Sequence, residues 1–206
     1  MHIEKIILTQ FKNYQAQTLT FSPKINCFVG QNGMGKTNLL DAIFYLCLCK
    51  SYFLSSDTDV ILRGSDFLRL EGYFLKNNRR EKIVAKVQPR KKKIFERNDT
   101  TYNALSDHIG FLPIVMFAPD DTLLAKEGSE ERRRFMDAVL SQIDNQYLTH
   151  LIFYNKNLEQ RNALLKSLGQ NTTDLTNFET LLSVYDRQLI PSAQYIFEKE
   201  KISPNN

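Results

Sequence analysis

Long apolar runs are missing from this 206-residue chain, which excludes a membrane-spanning helix of about 20 apolar residues. Cysteine is scarce. Cys27, Cys47 and Cys49 are too few and wrongly spaced for a disulfide framework or a zinc site. All three lie in apolar stretches, so buried, reduced thiols are expected. The N-terminus, MHIEKIILTQF, has no basic head, apolar stretch and small-residue cleavage site in succession. It reads as the first strand of a mature cytoplasmic protein. A general excess of one charge is also lacking, since the net charge is only +4. What excess there is concentrates between Arg79 and Arg97, where nine Lys or Arg face only Glu81 and Glu96. Hydrophobic residues make up 42% and charged residues 24%, enough apolar material for a real core.

One stretch carries specific chemistry. GQNGMGKT, Gly30 to Thr37, fits G-x-x-x-x-G-K-[ST] with nothing missing. In such a loop successive backbone N–H groups turn inward onto a phosphate. Gly30, Gly33 and Gly35 allow positive φ and close approach, while Gln31, Asn32 and Met34 supply further loop amides. Lys36 is expected to reach the β- and γ-phosphates, and the Thr37 hydroxyl to coordinate Mg²⁺. Asn38 either supports Thr37 or caps the turn. Asp41 reads as a surface or supporting residue rather than a ligand.

The surroundings fit. KINCFV (24–29) reads as a strand running into the loop, and residues 36–48 as the helix that follows. Strands are expected at 2–8, 18–29 (of which KINCFV is the end), 66–75, 80–88, 92–97 and 112–117, with Gly72 and NDTT (98–101) as punctuation. From about residue 130 glycine almost vanishes and helical spacing takes over. Leu148, Leu151, Leu158 and Leu165, with Asn155 and Asn162, mark one seam. Leu175, Phe178, Leu182, Tyr185, Leu189 and Ile196 mark another. GQNTTD (169–174) reads as the turn between two antiparallel helices, with Gly169 stopping the first and Thr173 or Asp174 capping the second. An ordinary helix pair is the alternative to a coiled-coil-like hairpin.

The loop alone does not choose a reaction. A GTPase would need D-x-x-G after a buried strand and N-K-x-D. DHIG (107–110) and NKNL (155–158) fail these requirements. A small nucleotide kinase suits the length, with Arg132, Arg133 and Arg134 as candidate lid arginines, but not the helical hairpin. In PIVMFAPDD (113–121), Ala118 and Pro119 separate the apolar run from Asp120 and Asp121, so these carboxylates read as a helix start. No L-S-x-G-type signature occurs.

ILTQFKNY (7–14), GQNGMGKTNLLDAIFYL (30–46) and VMFAPDDTLLAKEGSEERRRFMDAVL (115–140) together resemble the RecF family of bacterial DNA-repair proteins, and LEQRNALLK (158–166) extends the match. The resemblance implies an α/β P-loop fold: an ABC-type ATPase head with an incomplete mixed sheet, followed by an α-helical hairpin lobe. It implies residues 1–130 as the N-terminal part of the ATPase lobe and 131–206 as a partial helical arm. The C-terminal half, with the Walker B carboxylates and signature, is absent from this sequence. It implies ATP and Mg²⁺ as cofactors, and a homodimer formed on ATP binding. DNA that is single-stranded, gapped or at a junction would be the ligand, and RecO- and RecR-type proteins the partners in recombinational repair, replication restart and SOS support. The family has weak DNA-stimulated ATPase activity, and this chain alone is not expected to be competent. In the family the F-[RK]-N-Y turn packs near the nucleotide, which makes Lys12 and Asn13 candidates to touch it. Lys12 stands where Arg is usual and lacks its planar fork, and a plain β-turn is the alternative.

Arg79, Arg80, Arg90, Lys91, Lys92 and Lys93 are the candidate DNA contacts. They are expected to read backbone without sequence preference, and a solvated hairpin tip is the alternative. Arg132 to Arg134 point in three directions on one helix. At least one is expected to tie the helix to Asp120 or Asp121, with Phe135, Val139 and Ile143 facing the core. The rival functions are a small P-loop phosphotransferase and a passive DNA-binding module.

Overall fold

A computed structural model describes residues 1–118, 129–171 and 175–202. The chain forms two compact units, Met1–Met116 and Phe117–Asn206.

The first unit is a six-stranded sheet with one helix across its face. The strands are β1 (His2–Phe11), β2 (Tyr14–Thr20), β3 (Leu68–Lys76), β4 (Arg79–Val87), β5 (Ile94–Arg97) and β6 (Thr100–Thr101). Their order is β2-β1-β3-β4-β5-β6, and every pairing is antiparallel. Two tight turns depend on residues that tolerate positive φ: Asn77–Asn78 (50° and 59°) joins β3 to β4, and Asn98–Asp99 (49° and 65°) joins β5 to β6. Alternation sends Leu68, Leu70, Gly72 and Phe74 of β3 inward. In register, Leu8, Leu70, Ala85 and Phe95 form one buried row across four strands.

Helix α1 (Lys36–Leu48) covers that inner face. Leu39, Ala42, Phe44, Tyr45, Leu46 and Cys47 are buried, and Tyr45 stacks on Phe95 at 5.9 Å. Gly72 does not punctuate a strand; it lies in the middle of β3. A Cβ there would come within 2.9 Å of Leu46 Cδ1 and 2.5 Å of the Phe74 ring, so its smallness admits the helix.

Two expected strands are not strands. Residues 24–29 and 112–117 make no ladder among the described residues. Ile25 and Val29 are 81% and 93% exposed, and Val115 and Phe117 are exposed as well. A strand is completed by a ladder of hydrogen bonds to a neighbouring strand, and neither segment is laddered to a described strand. Cys27 consequently lies exposed, contrary to expectation, while Cys47 and Cys49 are buried. Burial pushes both of the latter thiols up to about 12, so they stay protonated.

The second unit holds α2 (Ser129–Ile143), α3 (Asn145–Asn171) and α4 (Leu175–Ile202). Contacts between α3 and α4 run in opposite directions: Asp144 with Lys199, His150 with Ser192, Arg161 with Asp186. The pair is therefore antiparallel, as expected. Gly169 does not stop α3, which continues to Asn171, and the caps considered at 173 and 174 lie outside the described residues. On α4, Phe178, Leu182, Tyr185, Leu189 and Ile196 face inward as expected, joined by Ser192. On α3 the polar seam residue is Asn157, buried and donating to the Phe153 carbonyl at 2.8 Å. Asn155, Asn162 and Leu165 are exposed. On α2, Phe135 and Ile143 are exposed instead of facing a core, Ile143 by 77%.

Candidate phosphate-binding site

The segment between Gly30 and Thr37 ends on the first turn of α1. Gly33 and Gly35 have φ of 82° and 95°, a region costly for any residue with a Cβ. Nothing lies within 4 Å of where a Cβ of Gly30 or Gly33 would sit, so space beside these two glycines is open. Gly35 caps α1 with no side-chain hydrogen bond. Among the described residues, no side chain caps the first amides of the helix, which lie at the positive end of its dipole. Lys36 Nζ donates to the carbonyls of Gly30 (2.7 Å) and Gln31 (2.8 Å). It closes the loop on itself and pairs with no carboxylate among the described residues. Thr37 is exposed, and its hydroxyl makes no hydrogen bond among the described residues. Gln31, Asn32 and Met34 are exposed on the loop, and Met34 N–H reaches the Gln31 carbonyl at 3.4 Å.

The β1–β2 turn abuts this loop. Asn13 Oδ1 accepts from Asn38 Nδ2 at 2.8 Å, which decides the role of Asn38: it ties the helix to the turn. Tyr14 donates its hydroxyl to the Gly35 carbonyl at 3.0 Å. Lys12 does not point into the loop. Its ammonium meets Asp41 at 2.6 Å. Asp41 is no surface residue; it is fully buried and also accepts from Ser51 Oγ and Tyr52 N, each at 2.7 Å. An uncompensated carboxylate there would be very costly, so the Lys12 charge is spent on Asp41. Sequence reasoning missed the roles of Tyr14 and Asp41. No sequence signal paired Tyr14 with Gly35 or Lys12 with Asp41; the fold brings them together.

The basic run does not form one patch. Arg79 and Arg80 lie at the β3–β4 turn, while Arg90, Lys91 and Lys92 follow the opposite end of β4. Arg79 and Arg80 open β4, and the seven strand residues after them, Glu81–Val87, hold the groups roughly 23 Å apart. All five are exposed. Arg80 pairs with Glu4 at 3.3 Å, and Arg79, Arg90, Lys91 and Lys92 make no ion pair among the described residues. Lys93 is different. It donates to the Cys49 carbonyl at 2.6 Å and pairs with Asp57 at 2.7 Å, and Asp57 also accepts from Tyr45. Lys93 thus joins the β4–β5 loop to the far end of α1 and is a structural residue here. Lys82, Lys86 and Arg97 pair with Asp99, Glu96 and Glu81. Arg132, Arg133 and Arg134 are exposed on α2, and Arg134 pairs with Glu130. Their expected partners Asp120 and Asp121 lie outside the described residues.

Residues 2–105 match the model of the RecF/RecN/SMC N terminal domain. The chain belongs to this family. Among curated relatives, the DNA replication and repair protein RecF of Flavobacterium johnsoniae is 46% identical over 202 residues, covering 98% of this chain and 55% of that protein. RecF of Phocaeicola vulgatus is 45% identical, covering 97% of this chain and 52% of the relative. The chain spans about half the length of the curated relatives it matches. A solved structure of the recombination mediator protein RecF with ATP superposes with a TM-score of 0.86 at 27% identity, covering 97% of this chain and 53% of that one. One from work on ATP-driven dimerization and DNA-stimulated activation of SMC ATPases gives 0.55 at 25% identity, covering 68% and 99%. The head fold of RecF and SMC ATPases is therefore the fold of this chain, and the ladders among the described residues are its antiparallel part.

Proposed function

We propose that this chain is the nucleotide-binding N-terminal part of a RecF-type DNA-repair ATPase, and that it holds ATP with Mg²⁺ at residues 30–38. One observation carries the reading. In a RecF/RecN/SMC family chain, an open glycine loop leads into an uncapped helix with Lys36 already folded across the loop. The triphosphate would take the place of the Gly30 and Gln31 carbonyls on the Lys36 ammonium. The amides of Gly33 to Thr37 would donate to the β-phosphate, supported by the helix dipole. Thr37 Oγ, uncommitted and exposed, suits a hard cation that prefers oxygen ligands. Mg²⁺ there would neutralise phosphate charge.

Residues 1–130 read as the ATPase lobe and 131–206 as part of the helical arm. The acidic pair and signature needed for hydrolysis would come from the portion of the relatives beyond the match. Segments 24–29 and 112–117, which join no ladder among the described residues, suit strands completed by that same portion. Exposed cations at Arg79–Arg80 and Arg90–Lys92 would contact DNA backbone at two separate places. Dimerisation on ATP, cooperation with RecO- and RecR-type proteins and a cytoplasmic location follow from the family reading. No described helix is long and apolar enough to cross a membrane.

Nucleotide titration against Lys36→Ala tests the reading. ATP affinity is expected to fall at least tenfold, as loss of a charge-assisted contact worth about 1.5–3 kcal/mol requires. Equal affinity in the two proteins would sink it.

A further inference from the structure

Three consecutive residues of the β1–β2 turn each bind a different residue of the α1 entrance. Tyr14 reaches the Gly35 carbonyl (3.0 Å), Asn13 reaches Asn38 (2.8 Å), and Lys12 reaches Asp41 (2.6 Å). Positions 35, 38 and 41 are three apart, so they lie along one side of the helix. The two nearer contacts flank Lys36 and Thr37. The fit is close: a Cβ on Gly35 would come within 2.6 and 2.8 Å of the Asn13 amide and 3.0 Å of the Tyr14 hydroxyl. The far contact is anchored, because Asp41 is fully buried and held by Ser51 and Tyr52 as well.

The Tyr14 contact has a specific geometric effect. The Gly35 carbonyl and the Lys36 N–H belong to one planar trans peptide and point in opposite directions. The carbonyl already accepts the Leu39 N–H at 2.9 Å. A second donor, fixed to a strand end, pins the rotation of that peptide and so aims the Lys36 amide away from the turn. We propose that Lys12, Asn13 and Tyr14 form a positioning clamp that sets the orientation of the Gly35–Lys36 peptide and with it the phosphate cradle. The proposal rests on the nucleotide reading above. It gives the turn a role that requires no direct contact with nucleotide.

The test uses Tyr14→Phe and Asn13→Ala in the full chain, titrated with ATP well below the melting temperature. Each is expected to weaken ATP binding about 3- to 10-fold, the range for one lost neutral hydrogen bond. Both should melt within a few degrees of wild type, and amide exchange at Lys36 in the nucleotide-free protein should quicken. A purely structural role would move the melting temperature and leave the affinity of the folded protein unchanged. That result overturns the clamp. Wild-type affinity and wild-type exchange in both variants also overturn it, while Lys36-dependent ATP binding would leave the nucleotide reading standing. If wild type and Lys36→Ala bind ATP equally, the reading and the clamp fall together.

Discussion

Gly33 and Gly35 look alike in sequence but differ in their surroundings. Both sit at positive φ, yet space is open around Gly33 while Asn13 and Tyr14 crowd Gly35. Gly33→Ala should cost about 1–2 kcal/mol from the left-handed backbone alone. Gly35→Ala must in addition displace the turn, so a larger loss, about 2–4 kcal/mol, is expected. Denaturant midpoints of the two variants check the order, and equal costs would refute the crowding argument. At this scale the loop's backbone was legible, because Gly33 and Gly35 take the positive φ that such a loop requires. The partner of Lys12 was not. A lysine beside a phosphate loop suggests a phosphate contact, and only the fold reveals that Asp41 is buried within reach. Lys93 misled for the same reason: Arg90, Lys91 and Lys92 before it make no ion pair among the described residues, but its own ammonium is bound to Cys49 and Asp57.

Among the elements, the helices were read well and two strands were not. Helical spacing places a stripe that packing then uses, so α1 begins and ends where the pattern does. Strand propensity only describes a residue that suits a pleated surface, and residues 24–29 have that character without a described partner. The junction of α2, α3 and α4 supplies an element-scale expectation. Asp144 pairs with Lys199 at 2.7 Å, accepts the amides of Gln146 and Tyr147 at the start of α3, and accepts the Tyr195 hydroxyl. Lys199 first, and then these donors, hold its carboxyl down at about 2. A depressed acid contributes stability above its unfolded value, about 3.9, and loses it as pH falls through the folded one. The hairpin base should therefore hold at pH 5 and loosen between about pH 4 and 2. Circular dichroism of wild type against Asp144→Asn checks this: the variant should already be less stable at pH 6 and show a flatter response to acid.

For the whole molecule, the charge distribution matters more than the net charge of +4. Sequence adjacency suggested one basic surface, whereas β4 holds the two groups apart along its length. Replacing Arg90, Lys91 and Lys92 by Gln should reduce the salt slope of DNA binding by about 3, at roughly 0.9 per neutralised phosphate. Replacing Arg79 and Arg80 should remove about 2, independently. Anisotropy titrations over a salt series measure both, and unchanged slopes would exclude these residues from the interface. The order of the strands has one more consequence. Every ladder except β1–β3 joins neighbours in the chain, so those hairpins can close within microseconds on their own. Bringing Thr9 against Arg69 requires closure of the long connection that contains α1 and the glycine loop, which is entropically the slowest pairing to make. Folding of the first unit should therefore end, not begin, with the segment proposed to hold the nucleotide, and a chain competent to bind would already have passed its last topological hurdle.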